Sequence, residues 1–273
     1  MTAAYTVIKK FSDNYYSVTQ MKHRIPETFP IGFKRECKSY DDKLDESLVR
    51  SRTRIFELAI CNPWEYFGTM TVNGNGYDRF DLNTFYSDFA KFINNVNFTY
   101  GLNIKYLLVP EMHKDGAWHM HGMYMNLPIY LMRLFTLKEY LPIKLRNRIV
   151  QGYEVFEWVS YSKKFGYNWF ERIRNPEACC KYFTKYITKD IAKCVQACNA
   201  NIYYCSQGLK RPTVIMEGDF NLMYKPDFDN VFISRCDYFD LIPALNCHKV
   251  QFYDDFISAG FDSSSIGKFF GGI

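Results

Sequence analysis

Three of the five histidines in this 273-residue chain fall within one stretch, Tyr106 to Met125, which reads Tyr-Leu-Leu-Val-Pro-Glu-Met-His-Lys-Asp-Gly-Ala-Trp-His-Met-His-Gly-Met-Tyr-Met. An apolar run from Tyr106 to Val109 enters a polar Lys114-Asp115-Gly116 segment and leaves through Ala117, the pattern of a β-hairpin with glycine near its turn. His119 and His121 stand two apart on the outgoing strand. Strand side chains alternate between faces, so both imidazoles project from one face and can grip a single cation. A three-residue loop with Gly116 in the left-handed conformation sets Glu111 opposite His119 on that face, whereas a two-residue Asp115-Gly116 turn sets Met112 there and turns Glu111 away. We expect the first register. It makes a three-ligand site from Glu111, His119 and His121, suited to Mg²⁺ or Mn²⁺ and compatible with Zn²⁺. The competing account is a half-exposed polar strand with two incidental histidines.

A second set of reactive side chains follows Asn175-Pro176, an N-cap residue followed by proline at the first helical position. The spacing predicts a helix from there to Cys194, with Cys180, Phe183, Ile187, Ile191 and Cys194 forming one apolar stripe. Tyr182, Tyr186, Lys189 and Lys193 cluster away from that stripe, so two phenols lie one turn apart with ammonium groups beyond them. Phenols can also serve as half-buried packing, with the lysines merely solvated. Combined with a metal, however, they have a specific use. The ion acts as a Lewis acid on the non-bridging oxygens of a phosphodiester while a phenol attacks to form a covalent intermediate. A phenol titrates near pH ~10 when unperturbed, and the lysines and the metal would favour its ionised form.

The surroundings of these residues are basic. The net charge is only +5, but Lys114 to Lys193 holds 14 basic against 7 acidic residues, whereas Glu217 to the end holds 4 against 9. A polyanion-binding face around the histidines fits that asymmetry. The 22 Tyr and 24 Phe are mostly core, with some free to stack on bases. Nine scattered cysteines without a paired Cys-x-x-Cys signature read as reduced, mostly buried thiols. No 18-residue apolar run and no basic-then-apolar start are present, so a cytoplasmic protein without membrane contact is expected.

The elements that must position the chemistry can be read in order. Residues 1–43 read as an irregular basic arm, although a helix already begins at Asp41 and runs to Ile60, with Leu44, Leu48, Ile55 and Leu58 inward and Arg50, Arg52 and Arg54 outward. Tyr66 to Val72 alternates as a strand, and Asp81 to Asn95 repeats at helical spacing through Leu82, Phe85, Phe89, Phe92 and Ile93. Leu131 to Val150 reads as helical on each side of Pro142, and Tyr153 to Phe170 as an aromatic loop. Ile202 to Ser206 reads as a strand before a basic turn that offers Lys210 and Arg211 to DNA. Residues 217–273 form an acidic, aromatic segment with no evident chemistry. His23 and His248 read as incidental.

The ordered motifs resemble those of the HUH endonucleases. His119-Met120-His121 is similar to the family's His-hydrophobic-His motif. Tyr182-Phe-Thr-Lys185-Tyr186-Ile-Thr-Lys189 resembles the tandem Tyr-x-x-Lys motif of two-tyrosine rolling-circle replication initiators, and Phe67-Gly-Thr69-Met-Thr71 resembles their first motif. The resemblance covers about residues 44–212, within a domain taken as 44–216. It implies an α+β fold, ferredoxin-like or RRM-like, with a central antiparallel sheet carrying the histidines and flanking helices. Further implications are Glu111 as third metal ligand and nicking of single-stranded origin DNA to give a 5′-phosphotyrosine and a 3′-OH primer. Tyr186 would act first and Tyr182 second, with Lys189 and Lys185 steadying the phosphate or phenolate and Lys193 touching DNA. Host helicase and polymerase are implied partners, and the cytoplasm of a bacterial host is the implied setting. The alternatives are an HUH transposase or mobilisation relaxase, a non-catalytic single-strand-binding module, and a zinc hydrolase that would leave the tyrosine helix without a role.

Overall fold

A computed structural model describes residues 5–12, 15–21, 40–73, 76–184, 189–219, 228–229 and 233–237. His23, His248 and most of the acidic segment 217–273 lie outside the described residues, as does the side chain of Leu44. The chain divides into two compact units, Met1–Cys37 with Arg211–Ile273, and Lys38–Lys210. In the first, β1 (Tyr5–Ser12) and β2 (Tyr15–Met21) form a hairpin in which Ile8 faces Val18, both fully buried. Two strands therefore stand where the sequence reads as an irregular arm. Their remaining partners come from the other end of the chain, beyond the reach of any local pattern.

The second unit holds α1 (Tyr40–Cys61), β3 (Tyr66–Thr71), α2 (Leu82–Tyr100), β4 (Lys105–Met112), β5 (Trp118–Met125), β6 (Met132–Leu134), α3 (Ile143–Val150), β7 (Val155–Trp158), α4 (Val159–Lys164), β8 (Asn168–Arg172), α5 (Pro176–Thr184), α6 (Lys189–Ala197) and β9 (Tyr204–Cys205). Its strands make a seven-stranded antiparallel sheet in the order β6-β7-β8-β3-β5-β4-β9. The α+β reading with a large antiparallel sheet and flanking helices therefore holds. Back in the first unit, β10 (Thr213–Asp219), β11 (Phe228–Asp229) and β12 (Ile233–Asp237) complete a five-stranded sheet in the order β10-β1-β2-β12-β11.

Helix α2 covers one face of the seven-stranded sheet. Asp81 caps its N-terminus by accepting from the Thr84 N–H at 3.0 Å, and Gly101 at φ 62° ends it. Leu82, Phe85, Phe89, Phe92, Ile93 and Val96 are buried against Tyr66, Met70, Leu108, Met120 and Phe170 from the strands, each such side chain contributing on the order of 1.5–3 kcal/mol. Gly68 and Gly122 lie opposite one another on this face. A Cβ on Gly68 would stand 2.5 Å from the Phe170 ring, so the sheet needs a bare backbone there for the aromatic layer to close. The other face meets α1 and α5, where Leu48, Ile55, Leu58, Cys180 and Phe183 pack on Leu107, Val109 and Met123.

Two stretches differ from expectation, and both matter to the site. Before Pro142 the helical stretch is reduced to a single 3-10 turn, Ile129–Leu131, because Met132–Leu134 pairs with β7 instead. The stretch read as an aromatic loop contains β7, α4 and most of β8. Val155, Phe156, Trp158 and Phe170 are all buried. Strands this covered lack the polar alternation that betrays a half-exposed strand.

Candidate active site

The hairpin has the three-residue loop. The His113 N–H donates to the Ala117 carbonyl at 2.8 Å, closing Lys114-Asp115-Gly116, with Gly116 at φ 85°. Glu111 is consequently paired with His119, and Val109 with His121. Across β3 the same rows continue, His121 opposite Thr69 and His119 opposite Thr71, and on to β8, where Trp169 faces Thr69 and Glu171 faces Phe67. The Thr71 N–H donates to the Tyr167 carbonyl at 2.8 Å, extending the ladder by one residue. Glu111, His119, His121, Thr69, Thr71, Phe67, Trp169 and Tyr167 thus share one sheet face, at the hairpin end of the area covered by α1 and α5.

His121 is buried and Glu111 half-exposed. Nε2 of His121 donates to Glu111 Oε2 at 2.6 Å, and in the neutral ring Nδ1 accepts from the Thr69 hydroxyl at 3.1 Å. The bond from His121, with neighbouring imidazoles assisting, holds the Glu111 carboxyl below its ordinary range. Burial, then the proximity of His113 and His121, pushes the His119 imidazole down to about 4, so it is neutral at neutral pH. His113, to which the spacing of residues assigned no role, meets His119 with Nε2 and Nδ1 3.1 Å apart. It sits two residues beyond Glu111, so strand alternation carries it to the same side.

A carboxylate and imidazoles are apt donors for a borderline or hard divalent ion. As disposed, they are engaged in pairs, His121 with Glu111 and His119 with His113. Among the described residues no three His, Cys, Asp or Glu side chains form a group that could hold a metal ion.

Helix α5 begins as expected. Asn175 Oδ1 accepts from the Ala178 N–H at 2.9 Å, Pro176 occupies the first turn, and Cys180 and Phe183 are fully buried. Tyr182 is 48% exposed, and its ring meets Phe67 edge-on at 5.8 Å. The Phe67 ring in turn lies parallel to His121 at 6.1 Å. The phenol is thereby connected to the histidine face through a single phenylalanine. Lys185, Tyr186 and Ile187 lie outside the described residues, as does the rest of the link between α5 and α6. Lys189 opens α6 and Lys193 is exposed on it.

A model of the family described as replication-associated protein ORF2 matches residues 65–191. The matched stretch is slightly less than half of the chain and runs from β3 into α6. It contains Glu111, His119, His121, Tyr182, Tyr186 and Lys189, and it is in keeping with a role in replication initiation. No curated protein and no solved structure matches the chain.

The basic turn lies elsewhere. The Lys210 N–H donates to Asn62 Oδ1 at 2.9 Å, and the ammonium of Lys105 donates to the Gln207 carbonyl at 2.8 Å. Lys105 begins β4 and Glu111 lies near its end, roughly 20 Å away at strand spacing. Lys210 is therefore not a neighbour of the histidines, and Arg211, the next residue along the chain, is exposed. Closer to the site, Tyr153 is flanked by the Arg148 guanidinium at 3.7 Å and that of Arg174 at 4.0 Å, with Arg148 also donating through Nε to Glu171 at 2.8 Å. These contacts tie α3 to the segment that enters α5.

Proposed function

We propose that the chain is a rolling-circle replication initiator that nicks single-stranded DNA through a tyrosine, assisted by a divalent ion, Mg²⁺ or Mn²⁺. The observation that carries this reading is the Tyr182–Phe67–His121 series, an exposed phenol joined by one ring to the histidine face within the replication-associated stretch. Glu111, His119 and His121 would hold the ion, exchanging their two pair contacts for ligation. The bound ion would supply Lewis acidity to the scissile phosphate. Thr69 orients the His121 ring from behind. The low proton affinity of His119 keeps its nitrogen lone pair available at neutral pH.

The phenol oxygen forms a bond to phosphorus and loses its proton, while the bond from phosphorus to the 3′ oxygen breaks and that oxygen gains a proton. The products are a 5′-phosphotyrosine and a 3′-OH primer for a host polymerase, with a helicase opening the duplex. Tyr186 takes the first nick and Tyr182 the terminating transfer, with Lys189 and Lys185 balancing phosphate charge. Lys193 binds the strand beyond the site, and Lys210, with Arg211 next to it in the chain, would meet DNA away from the nick.

The test uses single-stranded origin oligonucleotides labelled at either end, with Mn²⁺ or EDTA, resolved on a denaturing gel. A metal-dependent adduct on the 5′ end of the downstream fragment is expected, lost in the Tyr182→Phe, Tyr186→Phe double variant. Tight DNA binding without an adduct, across an origin library and several metals, would leave a binding module in its place.

A further inference from the structure

The chain has four tryptophans, and three of them, Trp64, Trp118 and Trp158, are buried to 5%, 2% and 0% exposure. Trp169 is the exception. It is partly exposed, its side chain lies in the row that contains Thr69 and His121, and its indole N–H has no partner among the described residues. Its ring stands 6.3 Å from Phe67, the same ring that joins Tyr182 to His121. On its other flank it packs against the cluster of Phe135, Leu141, Leu145 and Val155. Two residues earlier, Tyr167 is 37% exposed and its carbonyl accepts from the Thr71 N–H, which sets it next to Thr71 in the row that continues to His119.

We infer that Trp169, with Tyr167, is a platform on which consecutive bases of single-stranded DNA stack, setting which phosphate reaches the histidines. This inference rests on the nicking reading and adds to it the residues that hold the strand. Two aromatic side chains two positions apart on one strand lie roughly 7 Å from each other, a separation that admits one splayed base per ring. An apolar cluster already fixes the Trp169 ring, so little side-chain freedom is lost on binding. The partly exposed indole, whose N–H has no partner among the described residues, gains contact area when a base covers it. Phe67 then separates the stacked base from the phenol and the imidazole, so that the phosphate of the held nucleotide reaches the face that carries Tyr182 and His121. Every base has a π-face, so the platform fixes the position of the strand while leaving sequence choice to other contacts.

Because the other three tryptophans are buried, emission changes on DNA binding report on Trp169. The experiment titrates the full chain with a dT oligonucleotide, following tryptophan emission together with the anisotropy of a labelled copy, for wild type, Trp169→Ala and Trp169→Phe. Quenching in wild type is expected to saturate with the anisotropy. Trp169→Ala should bind about 10-fold more weakly, as for the loss of one base–aromatic stack, while Trp169→Phe keeps most of the affinity without the quench. Thermal unfolding of both variants separates loss of the ring from loss of the fold. Binding that leaves wild-type emission unchanged, or an alanine variant that folds and binds as tightly as wild type, overturns the platform. A wild type that does not bind DNA overturns the nicking reading as well, whereas quenching without an adduct in any metal overturns the nicking alone.

Discussion

The two faces of the seven-stranded sheet are built from the same central strands and differ in what covers them. Against α2, Met70, Leu108, Met120, Tyr124 and Phe170 form a continuous apolar layer with bare glycines at its middle. On the opposite face, residue by residue between them, stand Thr69, Val109, Glu111, His119, His121 and Trp169, which α1 and α5 cover only at the end away from the hairpin. Period-two alternation lets one strand serve both purposes. Met120 lies between the two histidines in sequence and is fully buried on the other side. A rigid, dry face is what allows the wet one to hold polar side chains at fixed spacing.

Substitutions that separate the faces test this contrast. The largest effect expected is loss of the DNA adduct in the Tyr182→Phe, Tyr186→Phe double variant, on the order of 10³-fold or more, read by gel, with an unfolding midpoint close to wild type. Next comes a paired comparison on adjacent residues. Met120→Ala should cost about 2–5 kcal/mol of stability, measured by urea unfolding, and leave the adduct yield of the folded fraction intact. His121→Ala should do the reverse, keeping most of the stability while losing the metal-dependent adduct. If both variants lose the same property, the faces are not independent.

Acid should also discriminate between the faces. His119 titrates near 4 in the fold, against about 6.5 in an unfolded chain. Between those values the unfolded chain binds the proton that the folded chain refuses, so stability falls as pH drops from about 6.5 to about 4, by on the order of 2 kcal/mol once the ring's partial exposure to solvent is discounted. Glu111, with its carboxyl held below the ordinary range, adds a loss of the same sign at lower pH. Urea midpoints at pH 7 and pH 4.5 should differ less in His119→Gln than in wild type, and an unchanged difference would place the acid sensitivity elsewhere. The smallest effect is expected from Thr69→Val, which removes the hydroxyl behind His121 without changing its shape. Binding of Mn²⁺, followed by calorimetry, should weaken about 10-fold, with Thr69→Ser recovering most of it.

How much of this was legible beforehand depended on how local the cause was. The hairpin register followed from Lys114-Asp115-Gly116, because only glycine accepts the left-handed position without cost, and the placement of Glu111 beside His119 came with it. The start of α5 followed from Asn175-Pro176. The exposed Arg50 and Arg52 of α1 and the apolar stripe of α2 followed from helical periodicity. By contrast, β7 and β8 were hidden because their two faces are buried or only partly exposed, which removes the alternation that marks a strand. With them went Trp169 and Tyr167, whose position on the site face depends on pairing between β3 and β8, about 100 residues apart. The strands of the first unit were missed for the same reason, since β1 pairs with β10 more than 200 residues later.

By itself the sequence determined the chemical groups and their local phase: two imidazoles and a carboxylate on one strand-pair face, and Tyr182 set apart from the buried Cys180 and Phe183 of α5. Backbone geometry fixes those relations over a few residues. Only the tertiary structure decided that Phe67 lies between Tyr182 and His121, that Thr69 supports the histidine from behind, and that a lone unburied tryptophan stands in the same row. Those neighbours are brought together by sheet order and by α5 packing over β3, and long-range pairing of that kind leaves no mark in the spacing of residues along the chain.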